Sequence, residues 1–197
     1  MTILTIAGSP SLSSRSSILL RHAADRLLQR GYASHELGLR DLPAEDLIEG
    51  VYTGSAATAL RARVAKARAV LIATPVYKAS FSGGLKALLD LLDERALADK
   101  LVLPIATGGS TAHLLALEYS LKPVLSALGA RHILAGVYAT ETQVTRNAQG
   151  VVEIDHGVVA RLEDSVDRVA RYLDTARPAH TEAYDLGKLA ARARLSV

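Results

Sequence analysis

Short apolar runs alternate with amphipathic stretches along the whole chain. Ile3-Leu4-Thr5-Ile6-Ala7, Ala69-Val70-Leu71-Ile72-Ala73 and Leu101–Ala106 are continuous, strand-length and apolar on both faces. The stretches between them repeat apolar residues three and four apart, as Ala56, Ala59, Leu60, Val64 and Ala67 do. This pattern predicts strands at Ile3–Ala7, Ser34–Leu39, Ala69–Ala73, Leu101–Ala106 and His132–Tyr138. It predicts helices at Ser16–Arg30, Ser55–Lys66, Gly84–Leu92, Ala112–Leu128 and His156–Ala176. Gly129 supplies a C-cap for the fourth helix, and Pro178 stops the last. Thr142–Asp155 is polar and reads as a loop with room for a short hairpin.

Strands that are apolar on both faces and separated by helices imply a parallel sheet covered on both sides. Five such strands predict a three-layer α/β domain over residues 1–176, flavodoxin-like, with strand order 2-1-3-4-5. Residues 177–197 read as a tail of undecided structure. In this fold, ligands bind beyond the carboxyl ends of the strands, near the switch point between strands 1 and 3.

Three segments fall at that edge. Gly8-Ser9-Pro10-Ser11-Leu12-Ser13-Ser14-Arg15-Ser16-Ser17 joins the first strand to the first helix. A hydroxyl-rich loop before a helix start offers free backbone N–H groups, the positive end of the helix dipole and serine hydroxyls, with one guanidinium from Arg15. It lacks the Gly-Lys-Ser/Thr of a Walker loop and the Gly-x-Gly-x-x-Gly dinucleotide fingerprint, so it suits the single phosphate of a mononucleotide such as FMN. Thr74-Pro75-Val76-Tyr77-Lys78 follows the third strand, and Thr107-Gly108-Gly109-Ser110-Thr111-Ala112-His113 the fourth. Pro75 and Tyr77 can wall a flat slot, and the paired glycines permit close backbone approach to a ring.

These segments resemble the NADPH-dependent FMN reductase family: Gly-Ser after strand 1, Pro-x-Tyr after strand 3 before a Gly-x-Leu-Lys helix start, and Thr-Gly-Gly after strand 4. Within the family, Thr74–Lys78, Leu85–Leu92 and Thr107–Ala116 resemble the reductase components of two-component alkanesulfonate monooxygenase systems. The likeness runs from about residue 3 to residue 140. One departure is Ser11, where many relatives carry arginine, which leaves Arg15 as the expected phosphate cation. The resemblance implies hydride transfer from NADPH to FMN and release of reduced FMN to a sulfonate-cleaving monooxygenase. Cofactor contacts are then expected from Ser9, Ser11, Arg15, Ser16, Ser17, Pro75, Val76, Tyr77, Lys78, Thr107, Gly108, Gly109, Ser110 and His113. The cofactors carry the chemistry, so no catalytic side chain is expected.

The fourth helix contains a fault. Pro123 cannot donate to the carbonyl of Tyr119, so the turn must kink, widen or recruit another donor. A π-bulge is one solution. In the alkanesulfonate-type reductases, the tyrosine of Leu-x-Tyr-x-Leu-Lys-Pro, here Leu117 to Pro123, goes with a π-helix at a tetramer interface. The resemblance therefore implies a homotetramer. Leu88, Leu91 and Leu92 are expected to add an exposed apolar face beside the ligand loops.

Composition narrows the alternatives. The net charge of +3 lies mostly in the tail, where Arg177, Lys188, Arg192 and Arg194 outnumber Glu182 and Asp185. With no tryptophan and Phe81 as the single phenylalanine, nucleic-acid binding is not expected. Cysteine is absent, no apolar stretch has membrane-spanning length, and the first residues carry no leader pattern, so a cytoplasmic location is expected. The six histidines have no metal-ligand spacing. Two other readings share the fold and remain open: an azo- or quinone reductase with bound FMN, and a flavodoxin-like electron carrier. Carriers tend to be acidic, and this chain is mildly basic.

Overall fold

A computed structural model describes residues 2–11 and 13–175. The tail 177–197 lies outside the described residues. The chain runs β1 (Thr2–Ala7), α1 (Arg15–Gln29), β2 (Ser34–Gly38), α2 (Ala44–Glu49), α3 (Ser55–Lys66) and β3 (Ala67–Tyr77). There follow β4 (Ser80–Phe81), α4 (Gly83–Asp90), β5 (Leu101–Gly108), a composite helix ending in α5 (Lys122–Ala127), β6 (His132–Ile133) and β7 (Val137–Thr140). β8 (Val144–Arg146), β9 (Val152–Ile154) and α6 (His156–Thr175) complete it. Among the described residues, no helix is long and apolar enough to cross a membrane.

The main sheet has the order β2-β1-β3-β5-β6, with β7 continuing the edge beside β5. Setting aside the β4 hairpin, this is the expected flavodoxin-like order 2-1-3-4-5, and all these pairs are parallel. The two faces follow the period-two alternation of strand side chains. Leu4, Ile6, Val70, Ile72 and Val102 join α3, α4 and α5 in one core. Ile3, Leu71, Leu103 and Ile105 join α1 and α6 in the other.

Three expectations need correction. Leu88, Leu91 and Leu92 are not an exposed face: they are buried in the first core. An apolar stripe on a helix signals a covered face without saying what covers it, and here the chain's own sheet does. The expected strand His132–Tyr138 is broken, with Leu134–Gly136 bulging out between β6 and β7. Leu134 N–H donates to Val102 O at 2.9 Å, and two residues along the same edge of β5 stands Pro104, which has no N–H to give. The expected helix at Ala112–Leu128 needs correction only in its first turn, which is 3₁₀ (Thr111–Leu114); the π turn expected around Tyr119 is present (Leu117–Leu121) and leads into α5. Sequence reading also passed over α2, none of whose residues is fully buried, so it shows no core-facing stripe.

Gly136 permits the bulge. Its φ is +91°, and a Cβ there would sit 2.8 Å from Pro104 O. Gly136→Ala is expected to cost about 2–3 kcal/mol, through left-handed strain and displacement of β5. Urea unfolding should show a lower midpoint at unchanged m-value, and an unshifted midpoint would refute this account of the bulge.

Candidate functional site

The register of the central strands brings three loops level. Ala7 pairs with Ala73, and Pro75 with Thr107, so β1, β3 and β5 release their chains side by side. Gly8 N–H extends the pairing by donating to Ala73 O at 2.7 Å. A Cβ on Gly8 would lie 2.9 Å from both Ala73 O and Leu85 Cβ, so only glycine lets the first loop leave between β3 and α4. Ser82, buried, ties the junction together. Its hydroxyl bonds Gly8 O and accepts from Leu85 N–H at 3.1 Å to cap α4, while its own N–H reaches Thr74 Oγ1 at 3.0 Å.

A cavity of about 210 Å³ opens where the loops meet. Ser9, Ser11, Ser13, Ser14 and Arg15 line it from the first loop, Pro75, Val76 and Tyr77 from the second, and Thr107 and Gly108 from the third, with Glu141 beside Arg15. Ser14 occupies the N-cap position of α1, yet its hydroxyl pairs with Ser16 Oγ at 2.8 Å instead of capping the helix. No side chain caps the first turn of α1, and no acidic residue stands in it. The result is an open row of N–H donors at the positive end of a fifteen-residue helix. Ser9 Oγ accepts from Ser11 N–H at 3.2 Å, which folds the loop around that end.

Arg15 is oriented from the far side. Its Nε donates to Val144 O at 3.0 Å, and its guanidinium stands 3.8 Å from the Glu141 carboxylate. Both side chains are about half exposed, so this ion pair is weak and leaves Arg15 available to a stronger anion.

The remaining expected residues are placed differently. Ser16 and Ser17 are buried behind the cavity and offer it no hydroxyl in this arrangement. Lys78 is exposed at the tip of the β3–β4 hairpin. Gly109 and Ser110 are exposed on the third loop, outside the cavity lining. His113 is half-buried in the 3₁₀ turn, with Nδ1 enclosed and without a hydrogen-bond partner among the described residues. The paired glycines have separate reasons. A Cβ on Gly108 would meet Tyr138 Oη at 2.7 Å and Val76 and His113 at 3.2 Å, so the protein's own packing demands glycine there. A Cβ on Gly109 would point into open space. Tyr138 braces the third loop, its hydroxyl donating to Ser110 O at 2.5 Å, and burial followed by the nearby Glu141 charge raises the phenol's pKa.

Sequence reading missed Glu141, Ser82 and Tyr138. Ser82 had a signal, since a serine before Gly83-Gly84 is a helix N-cap pattern. Glu141 and Tyr138 reach the site only through tertiary packing. A larger cavity of about 450 Å³ lies at the opposite edge of the sheet, beside Thr2–Leu4, His35, Arg63 and Lys66. It faces the amino ends of the strands, where this fold does not assemble its ligand loops.

The site also carries strain and an exposed apolar border. Tyr77 and Ser80 pair across a two-residue turn in which Lys78 (φ +50°) and Ala79 (φ +63°) are both left-handed. Ser80 Oγ then bonds Ser120 Oγ at 2.6 Å, tying the hairpin to the π turn. There Lys122 N–H reaches back five residues to Leu117 O, and Pro123 follows in the first turn of α5. Tyr119, mid-turn, is 79% exposed, and Tyr77, Leu114 and Leu115 are exposed as well.

Fold and site together define a flavodoxin-like α/β protein with an uncapped, acid-free helix start at the switch point. The chain belongs to the NADPH-dependent FMN reductase family, whose model matches residues 1–145. It is 49% identical over 172 residues to a Pseudomonas putida FMN reductase (NADPH), covering 85% of each chain. An Escherichia coli FMN reductase (NADPH) is 49% identical over 144 residues, 73% of this chain and 75% of that one. Among solved structures, the apo form of the NADH:FMN oxidoreductase EMOB superposes with a TM-score of 0.75 at 34% identity, covering 86% of this chain and 88% of that one.

The strained hairpin is testable. Glycine adopts left-handed φ without a Cβ penalty, and such two-residue turns favour it. Ala79→Gly is expected to stabilise the fold by about 0.5–1 kcal/mol, read as a raised thermal midpoint. A lowered midpoint would show that the turn is not strained.

Proposed function

We propose that the protein reduces FMN with a reduced nicotinamide nucleotide, takes FMN as an exchangeable substrate, and supplies reduced FMN to a sulfonate-cleaving monooxygenase. The observation that carries the flavin assignment is the uncapped, acid-free start of α1 facing a cavity between Pro75–Tyr77 and Gly108. Its donor set fits a phosphate dianion: helix N–H groups, serine hydroxyls and one loosely paired guanidinium. The rigid Pro75–Tyr77 wall, with the Thr107–Gly108 backbone also lining the cavity, suits a flat ring. Bound FMN supplies the hydride acceptor. The residues of the chain hold its phosphate, flank its ring and keep the two substrates aligned. The net reaction passes two electrons and a proton from NADPH to FMN as hydride, and solvent supplies the second proton.

The purified protein should be colourless and should oxidise NADPH only when FMN is added. A yellow protein that reduces azo dyes or quinones without added flavin would replace this reading with the bound-FMN alternative. Arg15→Ala should raise the KM for FMN about tenfold or more, from the loss of a charged hydrogen bond of about 1.5–3 kcal/mol, with riboflavin little affected. Equal losses for both flavins would remove Arg15 from phosphate binding.

The same reading includes a homotetramer, with the exposed border of Tyr77, Leu114, Leu115 and Tyr119 as the face that copies share. Tyr119→Ala should then let flavin stay bound through purification and should slow NADPH oxidation with free FMN. A parent protein sedimenting only as monomer at micromolar concentration, with and without FMN, would overturn the assembly. A variant that purifies colourless at parental turnover would make Tyr119 an ordinary surface residue.

A further inference from the structure

A second cavity, of about 370 Å³, adjoins the flavin cavity and shares Ser13 and Arg15 with it. Its other walls are Ile18, Val144 and Arg146. Val144 and Arg146 lie two apart on β8 and so project to the same side. Val144 is buried and anchors the strand, which places the Arg146 side chain over the cavity. The hairpin behind it is braced, since Asn147 Oδ1 accepts from Gln149 and Val151 N–H at 3.1 and 2.9 Å.

The charges here are only weakly countered. No carboxylate lines this cavity, because Glu141 lies on the flavin side. Among the described residues, Arg146 has no ion pair, and its hydrogen bond to Gly150 O is long at 3.4 Å. Arg15 spends Nε on Val144 O, and a terminal nitrogen meets only the half-exposed Glu141 carboxylate at 3.8 Å, beyond hydrogen-bond distance. Two guanidiniums and a serine hydroxyl around one concave space make a receptor for a phosphate monoester dianion, which would bridge both forks and relieve their mutual repulsion.

We infer that this cavity receives the 2′-phosphate of NADPH, and that Arg146 sets the preference for NADPH over NADH. The inference rests on the FMN reductase reading, in which the nucleotide lies over a flavin whose own phosphate sits across Arg15. The two nucleotides differ only in that phosphate, so an arginine pair in a space that no carboxylate lines, next to the flavin cavity, is where they can be told apart.

The test uses the whole chain and a probe without a nicotinamide. By titration calorimetry, the parent should bind 2′,5′-ADP at least tenfold more tightly than 5′-AMP. Arg146→Ala should bring the two within about twofold, and Arg146→Lys should fall between. In steady state, Arg146→Ala should raise the KM for NADPH about tenfold while those for NADH and FMN change less than twofold. Equal binding of the two adenylates by the parent, or an equal rise in KM for NADPH and NADH, would overturn the inference. A parent that oxidises neither nucleotide with FMN would defeat the reductase reading instead, and the adenylate titration would still report on the anion site.

Discussion

The parallel pairing of β1, β3 and β5 is the constraint on which the rest depends. These strands are buried on both faces, and their register carries Ala7, Ala73 and Ile105 to one level. A slip of one residue would exchange the two cores and turn Leu4, Ile6, Val70 and Ile72 toward the wrong helices. That cost locks the register, and the register places three unrelated loops within reach of one small ligand. Gly8 and Ser82 then fix the loops to each other, one by having no side chain and the other by bonding in three directions.

Within that frame, binding capacity comes from what the structure leaves unfinished. The α1 start has no capping side chain, because Ser14 and Ser16 satisfy each other. Arg15 is held by one carbonyl and a distant carboxylate. The β3–β4 turn keeps two non-glycine residues in left-handed backbone, and the fourth helix replaces α with π hydrogen bonding above Pro123. Each departure costs some stability, and each lies on the carboxyl edge of the sheet or beside it. Concessions exist elsewhere too, as at Asp99 (φ +58°) before β5 and the enclosed His22 Nε2, but the hairpin turn, the π turn and the open helix start cluster at this one edge.

The strands and their order were legible because residues apolar on both faces have few other places to go. The three loops were legible because Gly, Ser and Pro mark them directly. The fault at Pro123 was also visible, since a missing donor can be read from one letter. The partner of an apolar stripe was not: Leu88, Leu91 and Leu92 have the spacing of a covered helix face, and that spacing is the same whether a sheet or another chain covers it. Pro104 was visible, but its effect falls on the neighbouring edge, through a hydrogen bond that the Leu134–Gly136 segment cannot receive. Glu141, Tyr138 and Arg146 come from segments with no local signal and meet the site only through the fold. Gly108 was singled out for closeness to a ring, whereas its own neighbours Tyr138, His113 and Val76 already exclude a Cβ.

The central claim is that the open start of α1 recognises a flavin by its phosphate. Equilibrium titration of the unmodified protein with FMN and with riboflavin, followed by quenching of flavin fluorescence, tests it most directly. The account predicts that FMN binds at least tenfold more tightly, with inorganic phosphate competing against FMN and not against riboflavin. Equal affinity for the two flavins, unaffected by phosphate, would contradict it.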